Sequence, residues 1–180
     1  MDYKTLSSQY LHREPWLTVR KDAVEVPNGH VIPEYYVLEY PDWVNAIGIT
    51  KDGKMVMIRQ HRYGLGRTAY ELCAGVIEEG EDILESAKRE MLEETGYGNG
   101  EWKKIMTISP NPATQTNLVH CYLATGIEKL ADQKLEKSED ITVHLFEQDE
   151  VKRMLANDEI IQALHAAPLL KYFTMEAGII

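Results

Sequence analysis

Residues 16–61 alternate between runs rich in β-branched or aromatic residues and short turn-forming dipeptides. Asn28-Gly29 favours a tight hairpin turn because both residues tolerate positive φ, and Asp52-Gly53 has the same chemistry. Each dipeptide is flanked on both sides by a segment typical of a strand. The sequence therefore predicts a hairpin or small sheet followed by the start of a core sheet, with strands at residues 16–26, 31–40, 43–50 and 55–61.

A helix is predicted at residues 83–95. Asp82 is a suitable N-cap, no glycine or proline interrupts the segment, and Gly96 suits the left-handed conformation that ends many helices. Apolar residues recur at helical spacing from Ile83 to Met91 and form one buried face. This is the helix whose boundaries the sequence defines most sharply.

Three glutamates of this helix, Glu90, Glu93 and Glu94, lie close together beside its apolar face. Carboxylates three or four residues apart repel each other, and partial burial raises the free energy of charging them. A bound cation would relieve both penalties, and oxygen ligands favour Mg²⁺ or Mn²⁺. The alternative interpretation is an acidic face exposed to solvent.

The rest of the chain adds strands and then helices. Strands are predicted at residues 102–108, 118–125 and 141–146, and helices at residues 148–157 and 159–173. Pro168 is expected to bend or interrupt the second of these helices. This order of elements predicts a mixed α/β sandwich.

Composition and charge restrict the class of protein. The chain has 180 residues, 44% of them hydrophobic and 27% charged, which is enough for one domain with an N-terminal elaboration. A net charge of −10 without a Lys/Arg cluster argues against a nucleic-acid partner. No apolar run is long enough to cross a membrane, and the N-terminus lacks the apolar core of a secretory signal. Cys73 and Cys121 lack the spacing of a zinc site or disulfide framework, so we expect a cytoplasmic protein without a membrane partner.

Residues 75–97 read GVIEEGEDILESAKREMLEETGY and follow the pattern G-x5-E-x7-R-E-U-x-E-E-x-G-U, where U is apolar or aromatic. The pattern resembles the Nudix box at every position. The resemblance implies a hydrolase of nucleoside diphosphates linked to another group, with a divalent metal held by these acids. It also implies an α/β/α sandwich with a mixed sheet, the Nudix domain at residues 43–180, and an N-terminal β-hairpin extension at residues 1–42.

The resemblance also implies roles for individual residues of the box. Glu90 and Glu94 are the expected principal metal ligands, while Glu93 ligates through water or lies behind them. The carbonyl of Ala74, just before the first glycine, is a further expected ligand. Independently of the resemblance, Arg89 lies one turn after Glu85 and is expected to reach Glu81, so its position predicts that it orients the acids rather than taking part in the chemistry.

The sequence around the box resembles that of ADP-ribose pyrophosphatases. Residues 70–75, YELCAG, are similar to their ELPAG lead-in, and Pro112 follows the box where that subfamily has a marker proline. Glu71 and Pro112 are accordingly expected substrate contacts. Cys73 replaces the usual proline, and the loop at residues 109–117 lacks the subfamily's SPG form. GDP-mannose or another nucleotide sugar is therefore an alternative substrate.

A general base in this subfamily is usually a glutamate on a mobile loop, and the matching segment contains Glu136 and Glu139. Glu139 aligns better, although with a position that can instead bind metal. Lys137 stands where the subfamily often has another acid. Both glutamates remain candidates, with an exposed acidic loop as the alternative interpretation.

Several residues outside the box are candidates for substrate contacts. Arg62 is the preferred phosphate ligand because the planar guanidinium group suits phosphate, with a surface salt bridge as the alternative. Trp43 is a candidate for stacking on a nucleobase, as are Tyr35 and Tyr36, although packing or dimer contacts are the favoured interpretation. His61 and His120 lack a second metal ligand at suitable spacing and are interpreted as structural.

The expected reaction is hydrolysis of the pyrophosphate bond of a small nucleoside diphosphate derivative by a metal-activated water. With ADP-ribose, the products would be AMP and ribose 5-phosphate. The N-terminal strands resemble the element exchanged between subunits in dimeric ADP-ribose pyrophosphatases, so we expect a homodimer. A non-catalytic ligand sensor is a remote alternative, which would require the acids of the box to be dispensable.

Overall fold

The computed structural model describes residues 2–180, and in this range the chain forms eleven strands and three helices. It divides into two compact units. The first comprises the chain up to Asp42 together with Ser109–Leu118. The second comprises Trp43–Ile108 and Val119–Ile180.

The first unit contains a three-stranded antiparallel sheet in the order β1-β2-β3. Its strands are β1 (Lys4–Glu14), β2 (Leu17–Glu25) and β3 (Val31–Glu39). The predicted hairpin is present as β2 and β3, and Gly29 adopts the positive φ of 85° that the turn requires. Strand β1, which was not predicted, extends this hairpin to a small sheet, the other form that the sequence allowed. All eleven residues of β1 are exposed. A strand without a buried face does not need alternating apolar and polar residues, so the sequence contained no signal for it.

The segment Ser109–Leu118 is attached to β3 within the same unit. Leu38 N–H donates to the carbonyl of Thr114 at 2.7 Å, and Thr116 N–H donates to the carbonyl of Leu38 at 3.1 Å. The hydroxyl of Tyr35 donates to the carbonyl of Ala113 at 2.5 Å. These bonds fix the loop that contains Pro112 along the last strand of the small sheet.

The second unit is built on a mixed sheet in the order β11-β5-β4-β10-β8, with β6, β7 and β9 pairing to β5, β4 and β10. The β4–β10 pair is parallel, and the other pairs are antiparallel. Its elements are β4 (Trp43–Thr50), β5 (Met55–Arg62), β6 (Arg67–Glu71), β7 (Cys73–Val76), α1 (Ile83–Thr95), β8 (Tyr97–Gly98), β9 (Glu101–Ile108), β10 (Val119–Lys129), β11 (Ile141–Phe146), α2 (Gln148–Ala156) and α3 (Ala163–Glu176).

Side chains alternate along the central strands and supply two separate hydrophobic clusters. In β4, Ile47 faces the cluster that contains residues of α2 and α3, whereas Ala46 faces the cluster that contains Ala87 and Met91 of α1. Because successive residues of a strand point to opposite faces, α1 covers one face of the sheet, and α2 and α3 cover the other. The expected α/β/α sandwich is confirmed.

Helix α1 has the bounds that its capping residues predict. The Asp82 carboxylate accepts hydrogen bonds from Leu84 N–H at 2.9 Å and Glu85 N–H at 3.2 Å. Gly96 ends the helix with a φ of 73°, and its N–H donates to the carbonyl of Leu92. The acids of the box therefore lie on a helix fixed at both ends.

Helix α3 begins later than predicted, at Ala163, and Pro168 does not interrupt it. A proline has no N–H to donate to the carbonyl four residues earlier, which here belongs to Leu164. That carbonyl instead accepts a hydrogen bond from Asn45 Nδ2 at 2.7 Å. A side chain of β4 thus replaces the missing helical bond. Among residues 2–180, no helix combines the length and apolar character needed to cross a membrane.

Candidate active site

Arg89 lies at the centre of the box and connects its acids. Nε and Nη2 donate to the Glu81 carboxylate at 2.8 and 3.0 Å, and Nη1 donates to Glu90 at 2.8 Å and to Glu93 at 3.1 Å. Nη2 also donates to the carbonyl of Val76 at 3.1 Å, which holds the loop before α1. Hydrogen bonding by Arg89 lowers the pKa of Glu81 to about 2. A single guanidinium group therefore determines where three acids lie.

Glu94 is the most deeply buried acid of the box, with 3% of its surface exposed. One carboxylate oxygen accepts a hydrogen bond from Ala74 N–H at 2.9 Å. Burial is the largest cause that raises the pKa of Glu94 to about 8 despite this bond, and the nearby charges of Glu90 and Glu139 contribute to the same shift. Burial also raises the pKa of Glu90, against the effect of Arg89. Both carboxylates are costly to charge in the protein alone.

The carboxylate of Glu90 lies directly against the backbone of Gly75 in β7. A Cβ atom at Gly75 would overlap the carboxyl carbon and both oxygens of Glu90. The glycine at this position therefore provides the space that Glu90 occupies.

The composition of this acidic group fits a divalent cation. Glu90, Glu94 and Glu139 supply hard carboxylate oxygens whose charges oppose one another, and a cation would offset the free energy that their burial costs. Within the part of the chain that the structure describes, no three ligating side chains converge on one point. Arg89 holds Glu90 and Ala74 N–H holds Glu94 instead.

The loop with the two candidate bases is anchored to the end of α1. Gln133 Nε2 donates to the carbonyls of Glu94 at 2.6 Å and Ile141 at 3.2 Å. At the tip of the loop, Glu136 N–H donates to the Glu139 carboxylate at 2.8 Å. Glu139 is half-buried and its charge raises the pKa of Glu94, whereas Glu136 is exposed. Glu139 is therefore the glutamate of this loop that lies near the acids of the box.

Arg62 and Glu71, both predicted to contact substrate, are paired with each other. Arg62 Nε lies 3.0 and 3.1 Å from the two Glu71 oxygens, and Nη2 lies 2.6 Å from Oε2. Glu71 is 1% exposed, so Arg62 presents the accessible part of the pair. Burial opposes the charge of Glu71, but interactions with His165 and Arg62 outweigh it and lower its pKa to about 2.

The other two predicted substrate contacts, Trp43 and Pro112, belong to different units of the chain. Trp43 is half-buried and packs against the cluster that contains residues of α2 and α3. Pro112 is an exposed residue of the first unit. Of the two tyrosines considered with Trp43, Tyr35 bonds to the loop at Ala113, and exposed Tyr36 donates a hydrogen bond to Glu34 at 3.1 Å.

Three side chains that contact the site or the helices around it were not predicted from the sequence: Asn45, Gln133 and His165. Each acts on a residue far away in the chain, and Asn45 reaches the carbonyl of Leu164. No short motif surrounds them, so spacing alone carried no signal. The only sequence cue was polarity inside otherwise apolar segments, as at Asn45 in the strand WVNAIGIT.

Comparison with known families agrees with this geometry. Residues 3–38 match the nucleoside diphosphate sugar hydrolase N-terminal domain, and residues 40–166, more than half of the chain, match the NUDIX domain. The chain belongs to the Nudix family. Within that family it is a Nudix pyrophosphohydrolase.

Two relatives of this Nudix protein are named ADP-ribose pyrophosphatase. The one from Mycobacterium tuberculosis (strain ATCC 25618 / H37Rv) is 28% identical over 179 residues, covering 98% of this chain and 86% of the relative. The one from Bacillus subtilis (strain 168) is 31% identical over 147 residues, covering 82% and 78%. A solved structure described as an ADP compounds hydrolase has the same fold, with a TM-score of 0.87 at 19% identity over 99% of this chain and 96% of that chain.

Proposed function

We propose that this Nudix protein hydrolyses ADP-ribose to AMP and ribose 5-phosphate, with Mg²⁺ or Mn²⁺ held by Glu90, Glu94 and the backbone carbonyl of Ala74. The observation that carries this proposal is the buried carboxylate of Glu94, fixed by Ala74 N–H beside Glu90, in a chain whose relatives are named ADP-ribose pyrophosphatase. When bound, the metal neutralises charge on the diphosphate and lowers the pKa of the attacking water.

The protein side chains have separate tasks in this reaction. Arg89 keeps Glu90 and Glu93 in place, with Glu93 acting through water or behind the ligands. Glu139 is the proposed acceptor of the proton from the attacking water, or a further metal ligand, because its charge acts on both Glu90 and Glu94. Glu136 is the alternative base.

Substrate binding is proposed for the side chains around the acids. Arg62 binds a phosphate of the diphosphate with the part of its guanidinium group that Glu71 leaves accessible. Trp43 and Pro112 are proposed contacts to the rest of the nucleotide. The cytoplasm is the proposed location, because Cys73 and Cys121 are free and buried.

The test of the substrate is hydrolysis of a panel containing ADP-ribose, GDP-mannose, other nucleotide sugars and dinucleoside polyphosphates, with Mg²⁺ or Mn²⁺. Products are converted to inorganic phosphate by a coupling phosphatase and measured. We expect ADP-ribose to give the highest kcat/KM. A higher value for another nucleotide sugar would change the substrate and keep the chemistry, whereas no metal-dependent turnover of any compound would contradict the proposal and favour a ligand sensor.

A nucleotide sugar such as GDP-mannose is the second candidate substrate. The match of residues 3–38 to the nucleoside diphosphate sugar hydrolase N-terminal domain favours it, as does Cys73 in place of a proline. The loop at residues 109–117 is the segment to exchange with that of an ADP-ribose pyrophosphatase. A changed substrate profile after the exchange would assign selectivity to this loop.

A further inference from the structure

Glu71 and His165 form a buried pair, and His165 has no part in the hydrolysis proposed for this protein. Glu71 of β6 and His165 of α3 are each 1% exposed. His165 Nε2 lies 3.3 Å from Glu71 Oε2, an electrostatic contact without the alignment of a hydrogen bond. Gln60 Nε2 donates to the same oxygen at 3.2 Å, and Arg62 binds both oxygens. The Glu71 carboxylate is thus enclosed by three side chains.

This arrangement determines the orientation of Arg62. The guanidinium group is bound through Nε and Nη2 to a carboxylate that is itself immobilised by burial. Its charge also acts on Glu94, since Arg62 opposes the raised pKa of that acid. Arg62 therefore lies close enough to the box for its orientation to affect a bound diphosphate.

The backbone of His165 is held in place by the first turn of α3. Its backbone N–H donates to the carbonyl of Gln162 at 3.0 Å. The preceding carbonyl, that of Leu164, accepts from Asn45 of β4, and Asn45 lies opposite Ala74 in the β4–β7 pair. The same turn of α3 is thus attached to the strand next to the proposed metal ligand.

Burying an apolar side chain at the position of His165 would cost less free energy than burying an imidazole. Its Nδ1 is buried and makes no hydrogen bond in the described part of the chain, residues 2–180. An unpaired buried nitrogen costs free energy, so packing alone does not account for a histidine here. The contact that distinguishes histidine from leucine at this position is the one to Glu71.

We propose that His165 is a positioning residue for hydrolysis: it holds Glu71, and Glu71 holds Arg62 in the orientation that binds the substrate diphosphate. This inference rests on the proposed role of Arg62 in substrate binding. His165 touches neither substrate nor metal in this scheme. Its loss affects catalysis only through Arg62.

The test compares kcat and KM of the wild type, His165→Leu and His165→Gln, for whichever nucleoside diphosphate the wild type turns over fastest. We expect His165→Leu to raise KM about tenfold with kcat within about twofold, because it removes binding shared by the ground and transition states. His165→Gln keeps an N–H donor and is expected to restore most of the affinity. In an Arg62→Ala background, His165→Leu should add no further increase in KM.

Tyr172→Phe is the matched control. Tyr172 lies on the same helix and is also buried, and its replacement by phenylalanine removes only the hydrogen bond to Gln148 at 2.9 Å. It should leave KM unchanged at a comparable melting temperature. An unchanged KM in His165→Leu, or the same increase with and without Arg62, would overturn the inference. Failure of the wild type to turn over ADP-ribose, while it hydrolyses another diphosphate, would overturn only the proposed substrate.

Discussion

At the scale of single residues, the position of Glu90 depends on the absence of a side chain at Gly75. The Gly75→Ala Cβ would occupy the space of the Glu90 carboxylate and displace it. Because displacing a catalytic group by about 1 Å can reduce the rate by about 10²-fold, we expect a loss of kcat/KM of that order. The measurement is hydrolysis at saturating Mg²⁺.

The control for this substitution is Gly64→Ala. Gly64 has no neighbouring atom that an added Cβ would meet. It should retain both kcat and the melting temperature of the wild type. Equal activity of Gly75→Ala and Gly64→Ala would contradict the proposed importance of the contact between β7 and Glu90.

Glu71→Gln tests the electrostatics of the buried pair. The pKa of Glu71 falls from 4.5 to about 2 on folding, so its charge stabilises the protein above pH 4.5, and this contribution disappears as the pH falls towards 2. We expect Glu71→Gln to lower the free energy of unfolding by on the order of 3 kcal/mol at pH 7 and by less at pH 3.5. Urea unfolding at both pH values measures this, and an effect that grows on acidification would contradict it.

The sequence predicted residues whose partners are nearby in the chain. Glu90 and Glu94 follow from spacing within one helix, and the family resemblance added their roles. The enclosure of Glu71 was not predictable in the same way, because His165 belongs to α3, which is far from Glu71 in the sequence although the two side chains are in contact. The pairing of Arg62 with Glu71 depends on the register of β5 and β6, which no local pattern defines.

At the scale of elements, α3 continues through Pro168 because Asn45 replaces its missing hydrogen bond. Asn45→Ala leaves the Leu164 carbonyl without that donor and should cost about 1–3 kcal/mol of unfolding free energy. In a Pro168→Ala background, the new backbone N–H can bond to Leu164, so the cost of Asn45→Ala should be smaller by about 1 kcal/mol. Urea unfolding of the four proteins measures the coupling, and additive effects would contradict this account.

Elements with local signals were predicted well. Asp82 and Gly96 define the ends of α1, and Asn28-Gly29 defines the turn between β2 and β3. Strand β1 was missed because it has no buried face. Strands β6, β7 and β8 were missed because they are short and are defined by their pairing with β5, β4 and β10 rather than by a local pattern. The start of α3 was predicted too early, because the apolar periodicity of a sequence does not show where hydrogen bonds to other elements begin.

At the scale of the whole molecule, we predict a homodimer formed through the N-terminal strands. Strand β1 is exposed along its whole length and carries large apolar side chains, including Leu6, Tyr10 and Leu11. Such an edge strand is stabilised when a second chain covers it. Light scattering should give twice the chain mass of 20.6 kDa, whereas a stable monomer at micromolar concentration would contradict the prediction.

If the buried acids of α1 support metal-dependent hydrolysis of ADP-ribose, turnover must depend on Glu94. The most direct measurement is Mg²⁺-dependent turnover of ADP-ribose by the wild type, Glu94→Gln and Glu85→Gln. Glu85 lies on the same helix, but its side chain is 63% exposed and pairs with Lys88, so it is the matched control. We expect Glu94→Gln to lose activity by about 10²-fold or more and Glu85→Gln to retain it. Turnover of ADP-ribose by Glu94→Gln at the wild-type rate would contradict the account.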